Sequence, residues 1–322
     1  MRALATPAHA TTATPPEEAA ALTAGADAAT SGKLDAVAPD ATAAATTTAQ
    51  LAEALALGAG ADADRLYAEW YARPLRPFAV PASCPPDLTE ALRAADAGSG
   101  LWEDGWRVER AGTRGHAVVR RGAEVRLLER IDYTPLARPG LLPRRGDEVA
   151  VTGRRDRVDG DGWWRTAGRS WSWAAPPSGL VRLYFNMDLA GLPALIARLT
   201  GLLAGEPEPW LVKCATDPAT HARADATIAY LTPESATRWA GALVACAHGA
   251  RNTVPPLTLA VAPGLSAAFD PGPSESFGTH RCGLIAEAPA TVEAIATRFD
   301  RDDIDVLRPW ARRDDPLLPW ER

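Results

Sequence analysis

Cysteine and histidine are scarce: four and five residues, respectively, in a chain of 322. Cys84, Cys214, Cys246 and Cys282 lie far apart, with no Cys-x-x-Cys pair among them, so neither a zinc signature nor a disulfide framework is written here. A reduced, cytoplasmic setting is the expectation. Five scattered histidines exclude a His-rich metal site, and the expected cofactor complement is none. No window approaches the roughly 20 apolar residues that span a bilayer, and the N-terminus has no continuous apolar stretch of signal-peptide type, so no membrane partner is expected. The net charge of -6 excludes a surface that embraces nucleic acid as a whole, and any anion site must be local. Four motifs are missing as well: the glycine-rich phosphate loop ending in Gly-Lys, the dinucleotide fingerprint, the Gly-x-Ser-x-Gly elbow and His-Glu-x-x-His. Nucleotide binding, α/β-hydrolase chemistry and zinc proteolysis lose ground together.

What is present changes character along the chain. Residues 1–48 are Ala- and Thr-rich without one aromatic residue and read as a disordered tail, with Pro16 to Leu22 a possible short helix. From 49 to 176 comes a helical and Trp-rich β region, read as a docking region. Leu51, Leu55, Leu57, Leu66, Tyr67, Trp70 and Tyr71 keep helical spacing until Pro74 and Pro77. Asp87 to Ala97 reads as a further helix. Period-two segments follow at Trp106 to Arg110, His116 to Arg120, Val125 to Glu129 and Glu148 to Thr152, which predict a small antiparallel unit. Trp163 to Arg165 and Ser170 to Trp173 read as a hairpin, which is either compact β core or the wall of a peptide groove.

After Pro176 strands and helices alternate, so the fold class is α+β, with a mixed α/β domain over 177–322. Val181, Leu183, Phe185 and Met187 alternate with Arg182, Tyr184 and Asn186, as a half-buried strand requires. Leu192 to Leu203 is an amphipathic helix. Strands are expected at Trp210 to Cys214, Ala226 to Leu231 and Leu257 to Val261, and a helix capped by Thr232 with Pro233 at its first position carries Trp239, Leu243 and Val244. A Pro/Gly/Ser loop spans Pro263 to Gly278, then comes Arg281 to Ala286 and a last helix around Thr291 to Phe299.

Lys213 stands alone in the apolar strand Leu211-Val212-Lys213-Cys214 and must reach water, an acid or a ligand. Arg223 precedes the Ala226 strand, and His280 and Arg281 end the run from Ser274 to Thr279. Taken singly these are an ordinary surface ion pair and a solvated loop histidine. Taken together they suggest several cations converging on one anion, and Arg is suited to gripping phosphate bidentately.

The order Arg182 to Asn186, amphipathic helix, Val212-Lys213, Arg223 through Tyr230 and Ser276 to Arg281 resembles the HopA-type effector family. So does the helix Leu66-Tyr67-Ala68-Glu69-Trp70-Tyr71-Ala72-Arg73-Pro74. Through its actinobacterial relatives, that family resembles the lyase subunit of split class V lanthipeptide and thioamitide dehydratases. A more distant similarity is to the OspF/SpvC phosphothreonine lyases. These resemblances imply β-elimination of phosphate from phosphoserine or phosphothreonine. The implied partners are a phosphorylated precursor peptide, leader and core, and a kinase-like subunit. Lys213 is then the implied base. Arg182, Asn186, Arg223, Tyr230 and Arg281 are implied to bind phosphate or substrate. Where such lyases have Lys, one residue, then His, this strand reads Arg182-Leu183-Tyr184, so the proton donor is either Tyr184 or His280.

Overall fold

A polypeptide whose apolar residues alternate along short strands has to cover each sheet face it makes apolar. The computed structural model, which describes residues 40–57, 62–98, 101–153, 155–272 and 275–321, does so with two antiparallel sheets and eight helices within the unit Pro39–Arg322. The expected tail over 1–39, with its Pro16 to Leu22 segment, lies outside the described residues. From Asp40 on the chain is already helical, so the tail reading ends before residue 48.

Three helices come first: α1 (Asp40–Ala56), α2 (Ala63–Leu66, continued as one π-helical turn over Tyr67–Tyr71) and α3 (Leu88–Ala95). Asp62 and Asp87 cap α2 and α3 by accepting from the backbone N–H of Arg65 and Glu90. The small sheet follows: β1 (Trp102–Ala111), β2 (Ala117–Arg121), β3 (Glu124–Leu128), β4 (Tyr133–Pro135) and β5 (Glu148–Thr152), in the order β3-β2-β1-β5-β4. Trp106, Val108, Val119, Tyr133, Val149 and Val151 fill its core, as the period-two pattern predicts.

The second sheet contains β6 (Arg157–Asp159), β7 (Trp163–Ala167), β8 (Val181–Phe185), β9 (Leu211–Ala215), β10 (Thr227–Leu231), β11 (Leu259–Ala262) and β12 (Leu265–Phe269). Its order is β11-β12-β8-β10-β9-β7-β6, with every pair antiparallel. The expected hairpin of Trp163–Arg165 with Ser170–Trp173 does not form. β7 pairs with β6 and β9 instead, so this sheet begins before the boundary drawn at 176. Extended pairing along Leu211–Ala215 outcompetes the local turn. The expected loop from Pro263 is also corrected: it contains β12, which sits beside β8 and is buried throughout.

Helices α4 (Leu192–Leu203), α5 (Pro233–Arg238) and α6 (Ala240–Cys246) join α3 on the face of the large sheet that carries Val181, Leu183, Phe185 and Val212. Thr232 caps α5 with Pro233 in its first turn, as expected, and Trp239 breaks what read as one helix into two. Each fully buried Leu of α4, such as Leu195 and Leu199, contributes about 1.5–3 kcal/mol by leaving water. The opposite face packs under α1, α2, α7 (Phe277–Glu287) and α8 (Val292–Arg301), through Leu51, Trp70, Tyr71, Tyr184, Phe277 and Phe299. β8 is therefore buried on both faces rather than on one. Gly278 makes this possible: a Cβ there would overlap the Tyr71 ring and come within 2.7 Å of Tyr67.

Candidate functional site

Directly opposite residues in an antiparallel sheet share a face. On the α7 side, one cross-strand row runs Tyr184, Ile228, Lys213, Arg165, and the next runs Arg182, Tyr230, Leu211, Ala167. Here a cavity of about 330 Å3 opens, with Lys213, Tyr230, Arg182, Arg165, Trp171 and Asp270 among its lining residues. The Lys213 amine lies 4.6 Å from the centre of the Trp163 ring and 5.5 Å from that of Tyr230. It makes no hydrogen bond or ion pair among the described residues. The sequence has only two lysines, Lys33 and Lys213, against 32 arginines. Lys213 is thus the one amine side chain in the described fold, and it faces this cavity.

Arg182 is 5% exposed, donates from Nε to Asp270 Oδ1 at 2.6 Å and donates a second N–H to the Glu275 carbonyl at 3.2 Å. Its guanidinium carbon lies 5.2 Å from the centre of the Tyr230 ring, which Arg182 and Lys213 therefore both approach. Burial pushes the Asp270 carboxyl above the usual carboxylate range, while Arg182 pulls it down. Arg165 is occupied by Asp159 and Asp161 at 2.7 and 2.6 Å.

Of the expected site residues, the structure therefore brings together Lys213, Arg182 and Tyr230. Tyr184 shares the Lys213 row but is sealed in the core under α7, with its hydroxyl unpartnered and pushed up to about 12 by burial. His280 does not line the cavity; its Nε2 lies 2.9 Å from Asp302, and burial followed by the neighbouring Arg281 charge lowers its pKa. Arg281 is buried, donates from Nε to the Pro309 carbonyl, and has its pKa lowered to about 10 by desolvation. It lines a separate cavity of about 160 Å3 with Arg312 and Asp270. Arg223 closes a triangle with Asp225 and the Tyr67 hydroxyl, at 2.6 to 2.9 Å on every side. Asn186 donates to the Thr253 carbonyl and fastens a loop. None of these five lines the Lys213 cavity.

Asp270 and Arg165 escaped the sequence reading. Asp270 is set by the end of β12, a strand of small residues that reads as loop. Arg165 is set by the pairing of β7 with β9. Among the described residues, no helix is long and apolar enough to cross a membrane, and no three His, Cys, Asp or Glu side chains gather as a metal site.

Comparison with known proteins adds the following. Residues 162–311 match the HopA1 effector protein family. The fold is similar to that of an effector protein from Pseudomonas syringae pv. syringae strain 61, with a TM-score of 0.52, 15% identity, and coverage of 84% of this chain and 97% of that one. A second solved effector, from Pseudomonas syringae pv. tomato strain DC3000, gives a TM-score of 0.49 and 12% identity over 84% of this chain and 99% of that one. No curated protein matches the chain.

Proposed function

From a chain that carries a HopA1 effector family domain over residues 162–311, we propose that the Lys213 cavity eliminates phosphate from phosphoserine or phosphothreonine in a peptide. The substrate would be a ribosomally made precursor phosphorylated by a separate kinase-like partner, and the product would carry dehydroalanine or dehydrobutyrine. The observation that supports this most is Lys213 itself, an amine without a carboxylate partner on the wall of a cavity that also holds Arg182.

The chemistry asks for what these residues supply. Lys213, as the free amine, takes the proton from Cα, and the electrons of that bond become the new Cα–Cβ double bond. The Cβ–O bond breaks, and its electron pair leaves with the phosphate. Arg182 offsets the charge gathering on the leaving group, a preorganised term often worth about 3 kcal/mol. Tyr230, whose ring both Lys213 and Arg182 approach, is assigned the return of a proton to the leaving oxygen. Positioned proton transfer of this kind contributes about 100- to 10,000-fold.

A second reading, phosphopeptide binding without catalysis, is favoured by one observation: neither expected proton donor, Tyr184 nor His280, lines the cavity. One experiment separates the two. The purified protein is incubated with a phosphothreonine peptide, without kinase, and the peptide's mass is followed. Loss of phosphoric acid, abolished in Lys213→Ala, is the expected result. Saturable binding with unchanged mass would replace the lyase reading with the binding one.

A further inference from the structure

The small sheet presents a second concavity. Of about 1180 Å3, it opens on the side of that sheet away from Trp106, with Arg107, Arg110, Arg120 and Arg145 on its walls and Glu109 as its one carboxylate; Arg121, at its edge, turns its guanidinium back over the Trp106 ring and pairs with Glu103. Two bulges shape it. β1 slips register against β2 between Val108 and Arg110, and against β5 between Glu103 and Trp106. Bulges of this kind bend and coil a strand, and here they turn the outward face of β1 and β2 concave.

The residues on that face follow from the pairing. One cross-strand row is Arg107, Arg120, Val125, and the next is Arg110, Val118, Leu127. Val125 and Leu127, on the edge strand β3, are exposed, Leu127 by 73%. Two arginines directly opposite one another destabilise a strand pair, so packing alone gives no reason for Arg107 to face Arg120. Each leans on a carboxylate, Glu148 for Arg107 and Glu109 for Arg120. Arg110 and Arg145 have no ion pair or hydrogen bond among the described residues. A chain of net charge -6 thus concentrates cations on one curved face, bordered by bare aliphatic side chains.

We propose that this concavity binds an extended acidic segment of a partner polypeptide. The partner's carboxylates would meet Arg110 and Arg145, and its apolar side chains would lie against Val118, Val125 and Leu127. Nucleic acid fits less well. No aromatic ring lines the concavity to stack on a base, and the acidic chain as a whole repels a polyphosphate at long range. The site is independent of the elimination reading, because it uses none of the Lys213 cavity.

The test uses the full chain and fluorescence anisotropy of a labelled peptide alternating glutamate and leucine. Saturable binding that weakens with added salt is expected, and Arg110→Glu/Arg145→Glu should weaken it about tenfold or more. The milder Arg110→Ala/Arg145→Ala pair should shift it in the same direction, with an unfolding midpoint matching the parent protein's. Three outcomes would overturn the site: no saturable binding, equal affinity in the folded double variants, or equal affinity for a thymidine oligonucleotide of the same charge.

Discussion

Arg182 is clamped by Asp270. The Nε–H donates to Oδ1 at 2.6 Å, and the two side chains are only 6% and 11% exposed. Taking one partner from a buried ion pair strands the other charge in a medium that solvates it poorly, at a cost of about 3–5 kcal/mol. Asp270→Ala should therefore lower the free energy of urea-induced unfolding by roughly that amount, while Asp270→Asn, which can still accept from Nε, should lose less. Equal stability of the parent and Asp270→Ala would show that Arg182 finds another partner or reaches water.

The environment of Lys213 separates charge from proton transfer. Lys213→Arg keeps a cation able to lie over the Trp163 and Tyr230 rings, but a guanidinium does not give up its proton near neutrality. Lys213→Ala and Lys213→Arg should both lower the elimination rate by about 1,000-fold, with the arginine variant retaining more affinity for the phosphopeptide. Rates come from mass spectrometry and affinities from anisotropy. An active Lys213→Arg enzyme would remove Lys213 from the role of base.

Gly278 lies against the rings of Tyr71 and Tyr67, with no room for a methyl group. Gly278→Ala forces α7 off the π-helical turn and should cost about 1–3 kcal/mol, the usual range for overpacking. Gly283, on the same helix, has open space around its Cα, so Gly283→Ala should be neutral to stabilising. Thermal unfolding of the two variants provides the comparison.

His221 is 1% exposed, its Nε2 bonds the Ala215 carbonyl at 3.0 Å, and its Nδ1 has no partner. Burial lowers its pKa below the ordinary value of about 6.5. As the pH falls through about 6.5, the unfolded chain takes up a proton that the folded one refuses, so stability falls with pH until the folded value is passed and then levels. His280, also lowered, contributes with the same sign. The unfolding midpoint should drop as pH falls below about 6.5, and His221→Gln should flatten that drop. A variant with an unchanged slope would place the effect elsewhere.

The sequence carried the alternation of β8, the capped start at Thr232 and the amphipathic Leu192–Leu203 helix, because each is a local pattern with a local cause. It carried Lys213 and Arg182 as candidates for the same reason: a charged residue inside an apolar strand is visible at once, whereas Tyr230 entered only through the resemblance. It did not carry β12, whose Leu-Ser-Ala-Ala-Phe core has little β propensity and is held extended by pairing with β8 and β11. Nor did it show that the second face of β8 is covered, since α1 and α2 come from more than a hundred residues upstream. Arg223 entered as a ligand contact through the resemblance and Asn186 through its place on the polar side of the β8 pattern, and neither signal shows a residue's internal partners. Only the folded chain gives them Asp225, Tyr67 and Thr253 as partners.

The near-complete replacement of lysine by arginine makes the Lys213 cavity chemically addressable. An amine-selective acylating reagent has two lysine targets along the whole sequence, and peptide mapping separates an adduct on Lys33 from one on Lys213. Because the Lys213 amine lies against the Trp163 ring, a coloured adduct there would quench indole emission as it forms. Protection of that single adduct by a bound phosphopeptide would then count occupied sites directly, without any turnover.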